Sequence, residues 1–95
     1  MSKSIIQNNK ECYICESTNT LHEHHIFFGK NRKLAEKYGL KVYLCWEHHE
    51  GTYGVHGREG HALDLKLKKI AQTLFMKVYS ATKEEFISKF GKSYI

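Results

Sequence analysis

The chain holds 95 residues, with 15 Lys and Arg against 10 Asp and Glu, a formal net charge of +5 and a pI of about 9.1. A single domain is expected of these residues, near the size at which a hydrophobic core needs a staple. No run is apolar and long enough to span a bilayer, and the opening MSKSIIQNNK lacks a signal-type apolar stretch, so a soluble cytoplasmic chain with no membrane partner is expected. Three cysteines cannot all pair internally, and in a reducing compartment thiolates bind metal. Residues 51–95 carry eight basic and four acidic side chains, against seven and six in residues 1–50, so the positive excess lies downstream. Contact with a polyanion and a solubilising surface account for it equally well.

There is no proline and no internal repeat, so glycine and asparagine mark the boundaries. Residues 17–19 read as a polar turn, and residues 21–28 as a strand ending at Gly29. Asn31 is placed to N-cap a helix over 32–38, with Gly39 as its stop. Residues 40–44 (LKVYL) alternate and favour a second strand. A first helical turn follows Cys45, and Trp46 beside it reads as cover for the core. Gly51, Gly54, Gly57 and Gly60 then break the chain into irregular structure. From Ala62 a helix is predicted whose core stripe is Leu63, Leu67, Ile70, Leu74 and Val78. Thr82 and Glu85 form a capping box that starts a last helix, closed by Gly91.

The chemistry lies in two short ligand pairs, Cys12-x-x-Cys15 and Cys45-x-x-His48, which together supply the four sulfur and nitrogen ligands of a tetrahedral zinc site. Histidines crowd each pair: His24 and His25 after the first, His49 and His56 after the second. Neighbouring strand residues face opposite sides, so His24 and His25 are suited to separate tasks. Lys30, Arg32 and Lys33 follow the first strand and are candidates for phosphate contact, or for a solvated helix start. His22 and His61 read as exposed or DNA-adjacent side chains.

The motifs Cys12-x-x-Cys15, Leu21-x-x-His24-His25-Ile26, Leu44-Cys45-x-x-His48-His49 and Gly54-Val55-His56-Gly57 resemble those of zinc-containing HNH endonucleases of the ββα-metal type. The likeness is to small phage-encoded members, and the stretch from His49 to Gly57 is similar to RecA-dependent recombination-enhancement nucleases. It covers residues 12–57, the expected zinc knuckle and core; residues 62–95 would add C-terminal helices within the same single domain, 1–95. The resemblance implies an α+β fold and a metal-dependent DNA endonuclease or nickase. It also implies DNA, and phage or host recombination and packaging proteins, as partners.

Carried over by position, His25 matches the general base, and His24, His49 and His56 match ligands of a catalytic divalent cation (Mg²⁺, Mn²⁺, Ni²⁺ or Zn²⁺). Cys12, Cys15, Cys45 and His48 match the structural Zn²⁺ knuckle, with His48 standing where a cysteine is commoner. The middle asparagine of the motif is matched by Leu40, so orientation of His25 falls to a backbone carbonyl or another side chain, Asn31 being available if its loop folds back. The competing reading is a noncatalytic zinc-knuckle module that binds nucleic acid or a protein.

Overall fold

In the computed structural model, which describes residues 3–95, the elements run β1 (Leu21–His25), α1 (Arg32–Tyr38), β2 (Lys41–Cys45), α2 (Trp46–His49), α3 (His61–Val78) and α4 (Lys83–Phe90), with a 3-10 turn at Gly29–Asn31. The strands pair antiparallel, with Leu21 opposite Cys45, His24 opposite Val42 and His25 opposite Lys41. This is the expected α+β class. No helix among the described residues is long and apolar enough to cross a membrane.

α1 ends where the sequence places its stop. Gly39 adopts φ 72° and returns its N–H to the carbonyls of Ala35 and Glu36. A side chain there would also strike the carbonyl of Lys3, because the N-terminal segment runs close by and Ile5 N–H donates to Gly39 O at 2.9 Å. That segment follows β2 further: Tyr13 N–H donates to Tyr43 O and Gln7 Oε1 accepts from Tyr43 N–H, each at 2.8 Å. It therefore delivers Cys12 to the end of β2.

Four expectations need correction. β1 is Leu21–His25; Ile26 keeps one further backbone bond, its N–H donating to Leu40 O at 3.0 Å, and Ile26 and Phe27 are buried in the core at 0% and 2% exposure. Asn31 caps nothing with its side chain; its Nδ2 donates instead to Phe90 O at 3.0 Å, tying the start of α1 to the end of α4. The core line of α3 advances in steps of four, through Leu63, Leu67, Ala71 and Phe75, which leaves Ile70 and Leu74 only partly covered and Val78 exposed. Trp46 lies on the outer side of α2 and is exposed, so it covers no core.

The capping box of α4 forms as read: Thr82 Oγ1 accepts from Glu85 N–H, and Glu85 Oε1 from Thr82 N–H, each at 3.0 Å. Phe86 and Phe90 then stack at 4.6 Å, and Phe27 meets Phe90 at 4.8 Å and Phe86 at 5.6 Å. Phe75 reaches the same cluster, 5.8 Å from Phe86. Each buried ring contributes about 1.5–3 kcal/mol by leaving water. The C-terminal helices thus share one core with the strands.

Candidate metal centres

Cys12 and Cys15 lie on a tight knuckle closed by two backbone bonds, Cys12 N–H to Ser17 O and Glu16 N–H to Cys12 O, both 2.8 Å. Cys45 ends β2, and His48 follows one helical turn later on the same side of α2. The four residues converge, their ligand atoms all within 4.8 Å of one another. Cys15 Sγ and Cys45 Sγ are 3.7 Å apart, far beyond a disulfide, and His48 Nδ1 lies 3.6 Å from Cys12 Sγ and 3.2 Å from Cys45 Sγ. A tetrahedral zinc with bonds of about 2.3 Å to sulfur and 2.0–2.1 Å to nitrogen spaces its ligands about 3.8 Å (S to S) and about 3.6 Å (S to N). The set fits a closed zinc site. Burial raises the Cys12 thiol, but backbone N–H groups of Cys45, Cys15 and Ile14 outweigh it and bring the group to about 6. The Ser17 N–H favours a Cys15 thiolate, yet desolvation and the two neighbouring thiols leave that group above its usual range. Three sulfurs crowded in this way are stabilised as thiolates by a cation between them.

A second cluster lies one residue away. His24 comes from β1, His49 from α2 and His56 from the glycine-rich loop, and their ligand atoms also lie within 4.8 Å of one another. The loop is a chain of four-residue turns that share their end glycines, in which Gly54 N–H donates to Gly51 O, Gly57 N–H to Gly54 O and Gly60 N–H to Gly57 O. It is anchored to α2 by Val55 N–H on His48 O and His56 N–H on His49 O, both 2.9 Å. These bonds seat the His56 ring 4.7 Å from that of His49. A side chain at Gly57 would run into the carbonyl of Gly51, so the loop closes this tightly only with glycine there.

The cluster is graded from buried to open: His24 is buried, His49 intermediate and His56 exposed. His24 Nε2 is buried with no hydrogen-bond partner. An orphaned imidazole nitrogen of this kind costs about 1–3 kcal/mol unless something binds it. Burial first, then positive charge at His49, His56, His25 and Lys68, holds His24 down to about 3, and burial and His56 lower His49 too. His24 and His49 are thus held toward the neutral form, the one that ligates metal. Three imidazoles with an exposed side fit a cation with open coordination positions.

His25 points the other way, as strand alternation requires, and meets Glu36 and Lys41. Its Nε2 is 2.8 Å from Glu36 Oε1, while Lys41 Nζ is 3.0 Å from both oxygens of that carboxylate and 3.6 Å from Glu23 Oε2. A carboxylate bound twice by lysine is ionised and can only accept, so His25 Nε2–H is the donor. Glu36, rather than Asn31, thus orients His25; Leu40 is fully buried in the core. Glu23, His25 and Glu36 form a third group with ligand spacing, but Lys41 already supplies its positive charge.

Lys30, Arg32 and Lys33 are exposed on the 3-10 turn and the first turn of α1, immediately after Phe28. Three residues with no assigned role in the sequence stand at the histidines. His22 Nδ1 lies 3.0 Å from His49 Nδ1; the i,i+2 spacing from His24 was its signal. Phe28 packs its ring 5.3 Å from His56 and 6.0 Å from His24. Lys68, from α3, stands over Phe28, a proximity that nothing in the local sequence announces. Comparison with protein-family models, curated proteins and solved structures finds no match, so the family resemblance rests on the motif residues alone.

Proposed function

We propose that this protein is a metal-dependent DNA endonuclease or nickase of the HNH type, in which a closed zinc site serves as scaffold and the open histidine cluster as the reaction centre. The observation that carries this reading is the convergence of His24, His49 and His56 from three separate elements, with one buried nitrogen left partnerless. A closed four-ligand zinc has no vacancy for substrate, whereas three imidazoles leave room for phosphate and water. When bound there, a divalent cation supplies Lewis-acid stabilisation of charge developing on phosphoryl oxygens.

The chain's own residues supply the rest. The resemblance gives the proton-accepting role to His25, whose Nε2–H donates to Glu36 on the face of β1 away from His24. Glu36 stabilises the imidazolium that results. Lys30, Arg32 and Lys33 face solvent where they can meet backbone phosphates.

The test is supercoiled plasmid incubated with zinc-loaded protein and Mg²⁺, Mn²⁺ or Ni²⁺. Nicked or linear product is expected, lost in His24→Ala and His49→Ala while the structural zinc stays bound, and lost in His25→Ala. Intact plasmid with all three ions would overturn the enzyme reading. Cleavage unaffected by His25→Ala would keep the nuclease and remove His25 as base. One observation favours the second reading, a noncatalytic zinc module: His25 is nearly buried and saturated by an ion network on the face away from His24, as a structural histidine is.

A further inference from the structure

We propose that Lys68 is a phosphate-binding residue of the open histidine centre, holding a DNA backbone phosphate beside the cation. This rests on reading that centre as a nucleolytic cation site. Lys68 Nζ lies 4.7 Å above the Phe28 ring and 5.6 Å from that of Tyr94, and 2.9 Å from Asp64 Oδ2 one helical turn earlier. Phe28 in turn touches His56 and His24. The ammonium thus stands one aromatic ring away from the imidazoles, on a side chain only 16% exposed.

Two features separate it from an ordinary surface lysine. The first is electrostatic: a fixed positive charge one ring away from a cation site opposes cation binding. Asp64 offsets that charge through a single oxygen, and a phosphate between Lys68 and the cation would meet positive charge on both sides. The second is the state of its hydrogen bonds. Lys41 meets two carboxylates and closes its network, whereas the ion pair of Lys68 uses one oxygen of Asp64, and Asp64 Oδ1 is buried without a partner. An ammonium has three donors, so Lys68 has capacity for an oxyanion while Asp64 and Phe28 fix its position.

The experiment pairs two titrations of zinc-loaded protein, Co²⁺ alone and a fluorescent DNA duplex with Co²⁺ present, on wild type, Lys68→Met and Lys68→Arg. Lys68→Met keeps the aliphatic stem over Phe28; if it fails to fold, Lys68→Gln replaces it. The expected result is Co²⁺ affinity unchanged or higher in Lys68→Met, duplex affinity about tenfold lower, and a log–log salt slope shallower by about 0.9, the loss of one phosphate contact. Lys68→Arg should restore both duplex readouts. Unchanged duplex affinity and slope, or no measurable duplex binding by the wild type, would overturn the proposal. So would a fall in Co²⁺ affinity together with thermal stability, which marks a structural residue. Duplex binding that depends on Lys68 without plasmid cleavage would remove the nuclease reading and leave this one standing; cleavage indifferent to Lys68→Met would do the reverse.

Discussion

Acidifying the protein from about pH 7.5 to about 5.5, with its zinc bound but no further cation added, should cost the fold about 1.4 kcal/mol through His24. In the unfolded chain this imidazole titrates near 6.5, whereas in the fold burial and the surrounding positive charge hold it down to about 3. Between those two values the unfolded chain takes up a proton that the native state refuses. Stability is therefore complete above the unfolded value and falls as the pH drops toward the folded one, by about 1.4 kcal/mol per unit at most. His49, lowered by burial and by His56, adds in the same direction. Urea unfolding followed by far-ultraviolet circular dichroism measures the effect: with a slope of about 1–3 kcal/mol/M, the midpoint should move down by about 0.5–1.4 M. His24→Asn, which has no proton to exclude, should move much less. A midpoint that stays fixed, or that moves equally in His24→Asn, would refute a neutral, buried His24 and the lone pair it offers to a cation.

Two further outcomes follow from the sites. Cys45→Ser removes a ligand common to the end of β2 and the knuckle, and structural zinc in small domains contributes on the order of 10 kcal/mol, comparable to a whole domain's stability. The variant should lose zinc and its circular dichroism signature together, as should wild type treated with a strong chelator; a folded, zinc-free protein would contradict the scaffold role. Gly57→Ala forces a methyl group against the Gly51 carbonyl, at a cost of about 1–3 kcal/mol, and unseats His56. Calorimetric titration should then show at least tenfold weaker Ni²⁺ binding with the zinc retained, and unchanged Ni²⁺ affinity would show that His56 is no ligand.

The parts of this protein legible in its sequence are those written in short spacings. Cys12-x-x-Cys15 and Cys45-x-x-His48 announce a shared ion because each pair is within one turn, and the two halves of a tetrahedron need only be brought together. Gly39 and the Thr82–Glu85 box locate their helix ends because capping is a contact between near neighbours. The rest depends on pairs far apart in the chain. Asn31 looks like a cap until α4 provides Phe90 O as a partner. Val78 fits the helical period of α3, but the core follows Phe75 because the rings of Phe86 and Phe90 meet it there. Glu36 holds His25 from eleven residues away, and Lys68 reaches the histidines across Phe28; neither carries any local mark.

Two metal sites of different character, one closed and one open, are expected to stand side by side. Metal content per chain, measured by plasma mass spectrometry after dialysis against a mild chelator and again after Ni²⁺ is restored, tests it most directly. Zinc should be retained throughout and one exchangeable Ni²⁺ regained, with His24→Ala and His49→Ala losing only the Ni²⁺. A protein that never takes up a second ion, or whose zinc is lost along with the Ni²⁺ in His24→Ala, would contradict it.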